Sequence, residues 1–122
     1  MLIFMGAIFL LSHQPGDSLH MPSFIPGFDK LVHMIVYGLL AATILYAFEP
    51  AINNGRTSVL FLVTVILCIL YGIGDEFHQS FIPGRFASIA DLAADTLGAV
   101  AACAVWFFWK RKKNSTSQVF FQ

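Results

Sequence analysis

Residues 31–48, LVHMIVYGLLAATILYAF, contain no Asp, Glu, Lys or Arg, and their reading decides the fold. At about 1.5 Å rise per residue, a helix of this length spans ~27 Å, close to the hydrocarbon thickness of a bilayer. Two further stretches match it in length: TSVLFLVTVILCILYGIG at 57–74 and LAADTLGAVAACAVWFFW at 92–109. Upstream, Met1–Leu11 is apolar too, but it would cover only about 16 Å as a helix. It has no basic leading region and no small-residue cleavage site, so it reads as a short first helix, cut short at its N-terminal end, and not as a cleaved signal. The expectation is an all-α integral membrane bundle of about four transmembrane helices.

Composition agrees. Hydrophobic residues make up 57% of the 122-residue chain, charged residues 11%, and Phe occurs 13 times. Ordinary globular domains carry roughly 25% charged residues, and a soluble domain this small has too much exterior to hide so much apolar surface. A bilayer removes the difficulty by acting as the solvent. Net charge is zero, and no extended basic stretch suggests nucleic acid. Cys68 and Cys103 lie singly inside apolar runs, without the paired spacing of a redox or zinc motif. They read as small packing residues.

The connections are marked by Gln14-Pro15-Gly16-Asp17, Pro26-Gly27, Glu49-Pro50, Asn53-Asn54-Gly55-Arg56 and Pro83-Gly84. The first loop carries Met21, Phe24, Ile25 and Phe28, a composition suited to the membrane interface. Lys110, Arg111, Lys112 and Lys113 follow Trp106 and Trp109 directly, which is the pattern of a cytoplasmic helix end. One transmembrane domain over 1–113 and a polar, disordered cytoplasmic tail over 114–122 are expected. With the last helix ending inside, Lys30 and Arg85 fall outside.

Most remaining charges then gather at the outer end. Asp29 and Lys30 open the second helix, Asp75 and Glu76 close the third, Arg85 lies in the outer loop, and Asp91 and Asp95 open the fourth. At 100° per residue, Asp29, His33 and Tyr37 form one stripe; Asp91, Asp95, Gly98 and Ala102 form another; Gln79 projects between Asp75 and Glu76 if the third helix runs that far beyond Gly74. Such stripes should face one another, because exposing ionised groups to lipid costs several kcal/mol each. Five carboxylates against two cations cannot all carry charge cheaply in one place. His20 and His78 read as solvent-facing loop residues.

Two readings of this cluster stay open. One is a structural network of ion pairs and hydrogen bonds, with Arg85 bridging two carboxylates. The other is a site that binds a polar headgroup, a cation or a proton. Tyr37 and Asp95 lean toward packing. A metal site built from His33 and the carboxylates is a minor alternative, but no recognised metal-ligand spacing is present, so neither a metal nor a cofactor is expected. Pro83-Gly84 suits the central positions of a type II turn, which would hold Arg85 on a defined stalk. Its planar fork fits a lipid phosphate, a peptidoglycan-precursor carboxylate or Glu76 equally.

The run Asp29-Lys30-Leu31-Val32-His33 with Tyr37 and Gly38 resembles the D-K-x-x-H-x-x-x-Y signature of VanZ-like membrane proteins. Asp75-Glu76-Phe77-His78-Gln79, then Phe81, Pro83-Gly84-Arg85, Asp91 and Gly98, resembles the same family's second conserved block. Ser12 followed by Pro15 fits the end of its first helix. Asp95 stands where many relatives carry asparagine, and the first helix is shorter than usual. The resemblance implies a bacterial cell-membrane protein, associated in its named member with low-level resistance to teicoplanin, a lipoglycopeptide. Expected partners are the bilayer and a lipid or cell-wall precursor headgroup or a glycopeptide. A non-catalytic envelope role leads. A membrane-embedded enzyme acting on such a headgroup, with Glu76 or Asp75 as acid/base, and a small ion-coupled transporter are the alternatives.

Overall fold

The computed structural model describes residues 1–15, 27–51 and 56–119. The loop residues Asp17, His20, Met21, Phe24 and Ile25 lie outside that set, as do Asn53-Asn54-Gly55. Four α-helices follow in order: α1 (Leu2–Ser12), α2 (Phe28–Phe48), α3 (Thr57–Gln79) and α4 (Ile89–Val119), with a short 3-10 turn at Glu49–Ala51. α2, α3 and the Ile89–Lys113 part of α4 are long and apolar enough to cross a membrane, while α1 is not.

The helix ends follow from local chemistry. Gly27 enters α2 at φ 76°, a left-handed conformation that glycine adopts without a Cβ penalty. Pro50 cannot continue the ladder of α2. Ser88 caps α4, its hydroxyl accepting from the Asp91 amide at 3.3 Å, and the acidic Asp91 sits favourably in the first turn. α3 runs to Gln79, past the expected end at Gly74. His78 is therefore a helical residue, not a loop residue. α4 likewise continues to Val119, beyond the point where the sequence led us to end it, so residues 114–119 are helical.

α2 and α4 make the tightest contact. A Cβ built on Gly98 would stand 2.1 Å from the Met34 carbonyl oxygen, and one on Gly38 would stand 3.3 Å from the Gly98 oxygen. This is the close backbone approach that small residues allow in membrane bundles. α3 packs across both, and α1 leans on α2 and α3, with Ile8 in the core and the Tyr71 hydroxyl donating to the Met5 carbonyl at 2.6 Å. Buried Tyr37, Leu40, Ala41, Ile44, Cys68 and Ala99 form the main core, and Leu45, Leu60 and Cys103 a second cluster. Both cysteines are free and buried, as packing residues should be. Outward faces are apolar: Ile3, Leu10, Leu62, Leu70 and Leu97 are exposed, a surface suited to acyl chains.

Glu49, at the end of α2, forms an ion pair with Lys110 of α4. Lys110, Arg111 and Lys113 lie over the Trp106, Phe107 and Trp109 rings at 5.9, 5.3 and 5.5 Å. Asp29 and Lys30 open the same α2 whose other end carries Glu49. The acidic cluster and the basic cluster therefore occupy opposite ends of the bundle, ~30 Å apart along a helix of that length.

Candidate functional site

The polar end is assembled from one turn each of α2, α3 and α4. On α2, the four-residue spacing lays Asp29, His33 and Tyr37 along one face. Lys30 beside them donates to Asp29 at 2.7 Å and to Asp91 of α4 at 3.0 Å. One turn deeper, His33 Nδ1 lies 3.0 Å from Asp95 Oδ1. Asp95 is fully buried. Two rungs thus join α2 to α4, a partly exposed pair above and a buried pair below.

α3 brings its own carboxylates. Glu76 Oε2 accepts from the Ser88 amide at 2.6 Å, tying the end of α3 to the start of α4. Asp75 accepts from Gln79 Nε2 at 3.0 Å, and Gln79 reaches Ser12 of α1 at 3.4 Å. Gly72 completes the fit: a Cβ there would meet Leu92 Cδ1 at 3.0 Å and Asp95 Oδ2 at 3.1 Å. The Asp95 side chain occupies space that any larger residue at 72 would take.

Satisfaction is incomplete. Asp95 Oδ2, Glu76 Oε1 and the Tyr37 hydroxyl are buried without a hydrogen-bond partner among the described residues. Leaving such atoms unpaired costs about 1–3 kcal/mol each, and more for charged groups. Native membrane proteins tolerate this chiefly where the groups have a further task.

Beside the cluster lies a cavity of ≈ 140 Å³. Ile8, Leu11, Val32 and Val36 give it apolar walls, while Ser12, His33, Asp75, Gln79 and Arg85 line its polar part. Arg85 is delivered by the expected turn: its amide donates to the Ile82 carbonyl at 3.1 Å, and Gly84 has φ 76°. The guanidinium makes no hydrogen bond and no ion pair among the described residues. Bridging of two carboxylates by Arg85, the structural alternative, is therefore not seen there.

The residues singled out in the sequence divide into two neighbouring sets. Asp29, Lys30, Asp91, Asp95 and Glu76 join helix ends, Asp75, Gln79 and Arg85 face the cavity, and His33 belongs to both. Tyr37 lies under them in the core and borders the cavity. Ser12 and Gly72 were missed as site residues. Ser12 carried only a helix-end signal, and nothing local distinguishes Gly72 from other apolar-run glycines. His78 packs on Phe9 with ring centroids 4.6 Å apart, and its Nε2 is 3.4 Å from His13 Nδ1, outside the cluster.

The family model described as VanZ/LLP1 matches residues 1–110. The chain is also similar to the uncharacterized protein C11E3.10 of Schizosaccharomyces pombe, 28% identical over 90 residues, which are 73% of this chain and 52% of that protein. The chain thus spans about half the length of the curated relative it matches. No solved structure matches it.

Proposed function

The chain belongs to the VanZ/LLP1 family, and from that premise we propose that it is a non-catalytic envelope protein that holds an anionic headgroup of a membrane amphiphile. The cavity carries the reading. Apolar walls at Ile8, Leu11, Val32 and Val36 suit the first carbons of a lipid-like tail, and Arg85 supplies a positive fork for a phosphate or carboxylate. A guanidinium on the cavity with no acidic partner among the described residues is the observation that supports this reading.

In this reading the protein lies in a bacterial cell membrane, with Lys110–Lys113 inside and the cluster outside. By occupying a lipid-linked target, or the lipophilic drug, at the outer leaflet, it lowers susceptibility to lipoglycopeptides of the teicoplanin type. Deletion then raises teicoplanin sensitivity, overexpression lowers it, and Arg85→Ala behaves like deletion while folded protein persists. Susceptibility that ignores both deletion and overexpression removes the antibiotic part of the proposal.

A membrane-embedded hydrolase or transferase acting on the same headgroup is the second reading, favoured by the His33–Asp95 pair beside Glu76. Turnover of a labelled lipid-linked precursor, lost in Glu76→Gln, would promote it over the non-catalytic reading.

A further inference from the structure

The buried part of the cluster has too much acid for its neighbours. Lys30 is engaged by Asp29 and Asp91, and Arg85 faces the cavity. That leaves His33 as the cationic side chain at hand for Asp95, while Glu76 has the Ser88 amide on one oxygen only. Two buried carboxylates in a low-dielectric setting require a compensating charge or a full set of donors. Yet Asp95 Oδ2 and Glu76 Oε1 have no donor among the described residues.

The three side chains also have the geometry of ligands. One atom each from His33, Glu76 and Asp95 lies within 4.8 Å of the others. His33 Nδ1 and Asp95 Oδ1 are 3.0 Å apart, near the ~3.0–3.4 Å that separates adjacent ligands around an ion with bonds of about 2.1 Å. The donors come from three different helices, so an ion there would clasp α2, α3 and α4 together. Asp95 is wholly buried, and its free oxygen points toward Gly72, one helical turn from Glu76 on α3.

We propose that His33, Glu76 and Asp95 form a binding site for a divalent transition-metal ion. One imidazole with two carboxylates is a borderline-hard set that suits Zn²⁺ or Mn²⁺. Three protein ligands leave at least one coordination position open. Because His33 also lines the cavity, the ion adds positive charge next to the pocket that holds Arg85. The site stands on its own geometry and does not depend on the headgroup reading.

Full-length protein purified in detergent without chelator, then stripped and titrated separately with Zn²⁺ and Mn²⁺, tests the site. We expect about one equivalent per chain of one of these ions, with a rise in Tm on its addition, because a ligand that binds only the folded chain stabilises it. His33→Gln, Glu76→Gln and Asp95→Asn should each weaken binding by roughly tenfold to a hundredfold or more. His78→Gln should leave it unchanged, which separates the site from the His13–His78 pair. Arg85→Ala, which removes a neighbouring positive charge, should retain the ion at least as tightly while headgroup binding is lost, which separates the two. The wild-type titration needs no variant to fold. No retained ion and no Tm rise with either metal overturns the proposal. So does binding that survives all three ligand substitutions, or that is lost with His78→Gln.

Discussion

Gly98 of α4 lies against Met34 of α2 so closely that a Cβ on it would stand 2.1 Å from the Met34 carbonyl oxygen. Neither atom can rotate away, since one is fixed by its helix and the other is backbone. Gly98→Ala must therefore part α2 from α4, at a cost above the usual 1–3 kcal/mol of core overpacking. Gly38→Ala, 3.3 Å from the Gly98 oxygen, should cost less. Gly74→Ala meets nothing within 4 Å and should be near neutral. Thermal melts of the three purified variants check that order.

Gly72→Ala should separate stability from function. Its added methyl meets the ends of two side chains, Leu92 and Asp95, and no backbone. Side chains can yield, so we expect a loss of about 1–2 kcal/mol. Asp95 cannot yield without leaving its place beside His33, so ion binding should fall together with the modest drop in Tm. Unchanged ion binding in a folded Gly72→Ala protein would count against the role given to Asp95.

The His33–Asp95 pair should be energetically coupled. Removing one partner of a buried pair typically costs about 3–5 kcal/mol, because the other is left uncompensated. His33→Ala and Asp95→Ala should each destabilise the bundle, while the double variant loses clearly less than their sum. A double-mutant cycle in metal-free protein measures this directly. Additive losses would mean that the 3.0 Å contact carries no interaction.

Gly84→Ala should disturb Arg85 without removing it. At φ 76° an alanine costs about 1–2 kcal/mol, and the turn that positions the guanidinium relaxes. Faster proteolysis between α3 and α4, with a folded bundle and weakened headgroup binding, is the expected outcome.

Sidedness is open to direct labelling. Glu49 and Lys110 pair at one end of the bundle, while Lys30 and Asp91 pair at the other. Single cysteines at positions 85 and 112, in a background with Cys68 and Cys103 replaced, should react from opposite sides of intact cells, with 85 outside. Labelling of both from one side would contradict the arrangement.

Much of the site was legible because helices impose a fixed period. Four-residue spacing alone places Asp29, His33 and Tyr37 on one face, and Asp91 with Asp95 on another. The high cost of charge in lipid then demands that these faces meet. The turn at Pro83-Gly84 was equally readable, since its φ requirement is local. Which acid takes which partner was not, because that depends on tertiary depth. Lys30 selects Asp91 and His33 selects Asp95, and Arg85, for which bridging two carboxylates was one of two open readings, faces a cavity. The extension of α3 to Gln79 was hidden because Asp75–Gln79 reads as the polar border of a span although it still propagates the helix. Gly72 could not have been found from its neighbours in the chain. Its importance comes from Asp95, on another helix.

An anionic amphiphile bound at the Arg85 cavity can be captured by photocrosslinking. Full-length protein in nanodiscs of a zwitterionic lipid, doped with a phosphatidic acid carrying a photoreactive tail, should crosslink at α1 or α2 next to Ile8, Leu11, Val32 or Val36. The yield should fall at least tenfold in Arg85→Ala and recover in part in Arg85→Lys. Equal crosslinking in wild type and Arg85→Ala, or labelling confined to the outward faces of α3 and α4, would contradict binding there.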